Sequence, residues 1–230
     1  MSSDKLTLLL VDDHKIVRKG LIALLDYEKD IIVIGEAEDG NEAIKLAHKL
    51  RPDIIIMDIA LPHLNGMEAS QKILSNNPEQ KILILSAHAD DGYIEKSIDL
   101  GLSGYLVKQC LPEFLIQAIF QIAKDKRYFS PNILKRRTQM LERDIDSKGN
   151  ISQKKSSILT PREKQVLQLI AEGGGNKQIA HDMHISIKTV EKHRQNLMRK
   201  LSIHDTAGLT RHAISEGIIE NSRQTTTIEE

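Results

Sequence analysis

Short apolar runs recur between helix-period segments from residue 6 to residue 124, and this alternation constrains the fold more than any other feature. The runs lie near 6–11, 31–37, 53–58, 81–85 and 103–107, and the helical patterns near 14–26, 40–50, 66–76, 91–100 and 112–124. A run that is apolar at nearly every position, and not at every second one, belongs to a strand covered on both faces. Five such strands alternating with five helices predict an α/β domain built on a doubly wound, five-stranded parallel sheet. With aromatics at 3% and no tryptophan, its core must come from Ile, Leu, Val and Ala. Sheets of this kind bind ligands outside the carboxyl ends of their strands, so the residues that close the runs are the first place to look for chemistry.

Those residues are polar. Asp12 and Asp13 close the first run, Asp58 the third, Ser86 the fourth and Lys108 the fifth. Three carboxylates converging at one sheet edge repel one another, and a divalent cation is the natural compensation. Mg2+ takes one or two carboxylates plus phosphate oxygens, so Asp12, Asp13 and Asp58 suit it. With a cation present, one carboxylate can attack phosphorus and form an aspartyl phosphate. Asp58 is the better nucleophile because it stands alone at its strand end, with Pro62 and Gly66 shaping the next loop so that the carboxylate faces solvent. Lys108 would neutralise one phosphoryl oxygen and Ser86 would hydrogen-bond another. Taken singly, each residue has a plainer reading: an acid pair after a strand caps a helix, a lone Ser or Lys is a turn or solvated residue, and Tyr105 is packing. Convergence on one edge is what favours the chemistry.

The second half reads differently. From Arg127 to Ser157 the apolar pattern thins, Lys135-Arg136-Arg137 forms a charge run, and a linker is expected, helical to about Arg143. Thr160-Pro161-Arg162-Glu163 then supplies a capping box with proline at the first helical position. Val166, Leu167, Ile170 and Ala171 keep the helical period until Gly173-Gly174-Gly175 stops it. A short helix over 177–183, a turn at His184-Ile185, a long helix capped by Ser186 and running to about Leu201, and a last helix over 206–216 complete a helix-turn-helix pattern. On the long helix Val190, Leu197 and Leu201 face inward with His193 or Arg194 flanking, while Lys188, Glu191, Lys192, Gln195 and Arg199 lie outward. The first turns of a recognition helix meet base edges in the major groove, which outward basic and amide groups fit; Glu191, Lys192 and Gln195 as the base contacts are what exposure and family resemblance together imply. Ser186, Lys188 and Thr189 are better placed for phosphates. Double-stranded promoter DNA is the expected partner, met by a dimer on a two-fold related site.

Charge and cysteine usage narrow the setting. Net charge is zero, yet residues 1–126 are acidic, and residues 127–157 and 158–220 are basic, so an electrostatic partner is expected for the back half only. Cys110 is the sole cysteine, which excludes an intramolecular disulfide and fits a reducing cytoplasm. Neither a leader nor a membrane-length apolar run is expected, so the reading is a cytoplasmic protein away from the membrane.

The segments LLLVDDHKIVRKGL, PDIIIMDIALPHLNGMEA, ILILSAHAD and GYLVKQ make residues 1–126 resemble a bacterial two-component receiver domain, a flavodoxin-like fold. Residues 158–220, through LTPREKQVLQLIAEG, NKQIAHDMHIS and KTVEKHRQNLMRKL, resemble the LuxR-type module that closes NarL/FixJ-class response regulators. The resemblance implies that Asp58 is the phosphoacceptor, served by a sensor histidine kinase, that Asp12 and Asp13 bind Mg2+ together with Asp58 and the carbonyl of Ala60, that Ser86 and Tyr105 form a coupled switch, and that Lys108 contacts the phosphoryl group. It implies a receiver over 1–126, a linker over 127–157, the DNA-binding module over 158–220, a flexible tail over 221–230, and a homodimer when phosphorylated or DNA-bound. Three departures stand out: Gln109 where many relatives have proline or aspartate, Gly174 and Gly175 where the turn is expected to be looser, and Gly208 in the helix that forms the family's dimer surface, where weaker self-association is expected. Two rival readings remain. A Mg2+-dependent phosphatase would need an acid just beyond Asp58 to deprotonate water, and none follows it; a phosphate-indifferent DNA-binding protein would regulate normally as Asp58→Ala.

Overall fold

The computed structural model describes residues 5–87, 91–129, 159–216 and 218–219. It divides into two compact units, Met1–Ser156 and Ser157–Glu230. The expected helix to about Arg143 and the tail over 221–230 lie outside the described residues.

In the first unit β1 (Leu6–Val11), β2 (Ile31–Ala37), β3 (Ile54–Met57), β4 (Lys81–Ser86) and β5 (Gly104–Val107) alternate with α1 (Lys15–Leu25), α2 (Gly40–Leu50), α3 (Gly66–Asn76), α4 (Asp91–Asp99) and α5 (Pro112–Ala123). All strands are parallel, in the order β2-β1-β3-β4-β5-β6, where β6 is Tyr128–Phe129. The sixth strand departs from the expected five and takes the first residues of the predicted linker. It is two residues long and follows a left-handed turn at Asp125 (φ 59°), so no periodicity announces it.

Strand residues alternate between two cores. Leu8, Leu10, Ile54, Ile56, Leu83, Leu85 and Leu106 face the side that holds α1 and α5, through Leu25, Leu115, Ala118 and Ile119. Leu9, Val11, Ile55, Met57, Ile82, Ile84 and Tyr105 face α2, α3 and α4, through Ala43, Ala47, Met67, Ile73 and Ile94. Both faces are dry, which explains runs that are apolar at every position. The chain leaves β1 for β2 on one side and returns to β3 on the other, so the loops after β1 and β3 diverge and open a crevice between them.

The second unit packs α6 (Pro161–Ala171), α7 (Asn176–Asp182), α8 (Ile187–Leu201) and α9 (Thr206–Ser215) around Val166, Leu167, Ile170, Ile179, Val190, Leu197, Leu209 and Ala213. Its helix ends are written in the sequence. The Thr160 hydroxyl accepts from the Glu163 N–H while Glu163 reaches back to the Thr160 N–H, closing the capping box, and Ser186 caps α8 through the Thr189 N–H.

The expected looseness at Gly174 and Gly175 is not found. Gly173 adopts φ 90°, its N–H donates to the Ile170 carbonyl and that of Gly174 to the Leu169 carbonyl, a closed Schellman turn. A Cβ on Gly174 would stand 2.8 Å from the Leu169 oxygen. Gly208 likewise has a local reason: Asp205 caps α9 through the Gly208 N–H at 2.7 Å, and a Cβ there would lie 2.9 Å from the Asp205 carboxylate and 2.7 Å from Ile203. Glycine at this position thus spares Ile203 and the Asp205 carboxylate from having to shift.

Candidate functional site

Asp12 and Asp58 follow β1 and β3 directly, on the two sides of the crevice, and both are about 2% exposed. Lys108 follows β5 and reaches across to them: its Nζ lies 2.7 Å from Asp12 Oδ2 and 2.7 Å from Asp58 Oδ2. The second oxygen of Asp58 accepts from the Ile59 N–H at 2.7 Å, and Asp12 Oδ1 accepts from the His14 N–H at 2.8 Å. Asp13 is partly exposed and meets His14 Nδ1 at 2.7 Å. The expectation that Asp58 faces solvent is corrected here. The Lys108 ammonium stands over it, and Gly66 lets α3 pack so close that a Cβ would fall 1.8 Å from the Asp58 carbonyl.

Burial pushes the Asp58 carboxyl above its ordinary range, Lys108 opposes that rise, and the Asp12 charge adds to it. Burial alone would lower Lys108, but Asp58 and Asp12 outweigh it and hold the ammonium above its usual value. A buried cation with two carboxylates shows that this crevice demands positive charge. The donor set is hard oxygen, which fits Mg2+, and Asp12, Asp13 and Asp58 are the residues that could hold it.

Ser86 is 3% exposed at the end of β4, and its backbone carbonyl accepts from the Lys108 N–H at 2.7 Å. Tyr105 is fully buried on β5, in register with Ile84 and on the α4 side. Ala60 lies half-buried in the β3–α3 loop. Gln109 donates from Nε2 to the Ala87 carbonyl at 3.0 Å, which ties the loop after β5 to the loop after β4.

Sequence reasoning passed over Arg18. This α1 guanidinium is about 5% exposed, and it donates to the Asp12 carbonyl, to Glu36 Oε2 at 3.1 Å and to Glu38. It fixes the backbone of the acid loop from behind. The signal was the acid pair Glu36 and Glu38 at the end of β2, two charges at a doubly covered strand end that need a cation.

In the second unit, Val190 and Leu197 are buried and Leu201 half-buried, while Ser186, Lys188, Glu191, Lys192, Gln195 and Arg199 are exposed and Thr189 is half-buried. The turn before α8 runs through His184 at φ 53°, with the His184 N–H on the His181 carbonyl and the Ile185 N–H on the Ala180 carbonyl. Two further side chains hold α8. Arg194 donates to Asn176 Oδ1 at 3.2 Å and Thr206 Oγ1 at 2.8 Å, joining it to α7 and α9, and Lys200 meets the nearly buried Glu163 at 2.6 Å.

Opposed by burial, Lys200 and the Thr160 N–H bring Glu163 below the ordinary carboxylate range. Its stabilisation is therefore complete above the unfolded carboxylate value and is lost as pH falls through the lowered folded value. Glu163→Gln should cost about 1–2 kcal/mol at neutral pH and remove that acid-side dependence. Urea titration followed by the amide signals of α6–α9 checks both.

Residues 8–120 match the response regulator receiver domain family and residues 157–213 the bacterial regulatory proteins of the luxR family. The chain is 32% identical to the transcriptional regulatory protein DegU of Brevibacillus brevis, over 96% of its own length and 98% of that protein. It is 34% identical to the response regulator protein VraR of Staphylococcus aureus, over 92% and 98%. A solved structure of two RcsB dimers bound to two parallel DNAs shares 26% identity and a TM-score of 0.55, covering 92% of this chain and 99% of that one. The chain belongs to the two-component response regulators of the NarL/FixJ class, in which a receiver domain is followed by a LuxR-type DNA-binding domain.

Proposed function

We propose that Asp58 is the phosphoacceptor and that its occupancy controls binding of residues 158–220 to promoter DNA. The observation that carries this is the Lys108 ammonium held between Asp12 and Asp58 at the carboxyl edge of the sheet. A carboxylate oxygen of Asp58 attacks the phosphorus of a phosphohistidine on a sensor kinase, the phosphorus–nitrogen bond breaks, and its electron pair leaves with the imidazole. Lys108 follows the charge onto the phosphoryl oxygens. Mg2+ on Asp12, Asp13, Asp58 and the Ala60 carbonyl would supply further positive charge to those oxygens. Ser86 and Tyr105 are the proposed readers of the new group. Their response is a population shift, bounded by how differently the phosphoryl group interacts with the two states. Asp58 thus stores a signal and does not turn over an external phosphoester.

Lys188, Ser186 and Thr189 are assigned to DNA phosphates, Glu191, Lys192 and Gln195 to base edges, and Arg199 to the same outward face of α8. The protein–DNA arrangement of RcsB supports a homodimer on DNA. A cytoplasmic setting follows from a DNA target; among the described residues no helix is long and apolar enough to cross a membrane.

Lys188→Ala should weaken binding to all sequences alike and reduce the salt slope by about one. Gln195→Ala should relax preference at one base pair, at a cost of about 1–3 kcal/mol. Fluorescence anisotropy across a salt series, on operator and scrambled DNA, separates the two. The proposal as a whole is tested by comparing DNA affinity before and after phosphorylation of the wild type. Equal affinities would overturn the control it assigns to Asp58.

A further inference from the structure

At the amino ends of β3 and β4, the sheet edge opposite Asp58, the last turns of α2 and α3 line a cavity of about 450 Å³. Its floor is apolar: Ala47, Pro52 and Ile73 are buried and Ile44 is half-buried. A volume of this size over apolar walls suits a small organic ligand, and such sites add only a few placed polar groups. Gln80 is the first of these. It is 8% exposed, and its Nε2 donates to the Pro52 carbonyl at 2.9 Å and to the Lys81 carbonyl at 3.3 Å. Those two acceptors fix which end of the amide is nitrogen, and they use both of its hydrogens. Among the described residues Oε1 accepts from no donor, so a nearly buried acceptor is left to the cavity that Gln80 lines.

Arg51 is the second polar group. It ends α2 in the left-handed conformation at φ 47°, lines the same cavity, and its side chain makes no hydrogen bond or ion pair among the described residues. A nearly buried acceptor without a partner has lost water and gained nothing, so a ligand that brings an O–H or N–H recovers that loss. A free guanidinium favours a carboxylate, which it can meet through two parallel N–H groups. We propose that this cavity is a binding site for a small organic acid with an apolar ring and a hydroxyl or N–H donor. The ring covers the floor at Ile44 and Ile73, the donor meets Gln80 Oε1, and the carboxylate meets Arg51. The polarity of the ligand follows from exposure: Gln80 is buried and Arg51 exposed, so the donor end is enclosed and the acid end stays at the rim. The site shares no residue with the phosphoacceptor crevice, which lies at the other edge of the sheet.

The test titrates the full, isotope-labelled chain with three probes and reads nuclear magnetic resonance shifts. The probes are para-hydroxyphenylacetate, phenylacetate, which lacks the donor, and tyramine, which carries an ammonium in place of the carboxylate. Expected is saturable binding of para-hydroxyphenylacetate with a dissociation constant of about 1 mM or below, seen at the Gln80 side-chain amide and the Ile44 and Ile73 methyls. Phenylacetate should bind about tenfold more weakly, and tyramine without saturation. Arg51→Gly, which the left-handed backbone accepts, should weaken para-hydroxyphenylacetate about tenfold with amide signals away from the cavity unchanged. No saturable shift at these residues, or shifts confined to another part of the chain, would overturn the site. Equal affinity for phenylacetate would overturn the role of Gln80, and equal affinity for tyramine or full affinity in Arg51→Gly would overturn that of Arg51.

Discussion

Asp58→Ala will take up no phosphoryl group from a small-molecule phosphodonor under conditions in which the wild type gains one. The effect is all or none because the acceptor oxygen itself is removed, whereas loss of a neighbouring charge only slows transfer. Intact mass reads the outcome, and the wild-type gain should depend on Mg2+ because Asp12 and Asp58 are buried carboxylates whose charge rises further when phosphate arrives. A phosphorylated Asp58→Ala protein would move the acceptor to another residue. A wild type that gains nothing would leave the DNA-binding half to be driven by some other signal.

The second large effect concerns Lys108. Lys108→Met removes the cation that lies 2.7 Å from both Asp12 and Asp58 and leaves two buried carboxylates facing each other. Stability of the receiver should fall by about 3 kcal/mol in chelator, the range observed when one partner of a buried ion pair is lost. The sign of the pH dependence follows from Asp58, whose folded value is raised by burial. A carboxyl raised on folding is tolerated while protonated, and its cost appears as pH rises past the unfolded value and is complete above the folded one. The variant should therefore be closest to wild type in acid and furthest from it at neutral pH. Mg2+ should restore much of the difference, since it replaces the missing charge, by an amount that grows with its concentration. Thermal melts at several pH values, with and without Mg2+, decide it. A variant as stable as wild type in chelator would show that the carboxylates find another partner.

The strand-end residues were legible because strands buried on both faces leave no polar position inside the run, so the first polar residue marks the edge of the sheet. Thr160 and Ser186 were legible for a related reason: a capping pattern needs only four consecutive residues. What escaped the sequence was set by groups far apart in the chain. The burial of Asp58 depends on Lys108, fifty residues and two strands further along the chain, and on how closely α3 can approach across Gly66. Arg18 read as one more base on a helix because its partners Glu36 and Glu38 belong to another strand. Tyr128-Phe129 is too short to carry any period.

Arg194 and Lys200 have a consequence for how such a regulator can be controlled. A recognition helix fastened to its neighbours through Asn176, Thr206 and Glu163 arrives at DNA already shaped, so little ordering entropy remains to be withheld or released there. A signal can then gain little by remaking the reading head. Under the proposed function it would act instead on how many heads stand within reach of one operator, since joining two of them raises the effective concentration of the second without altering a single contact to a base.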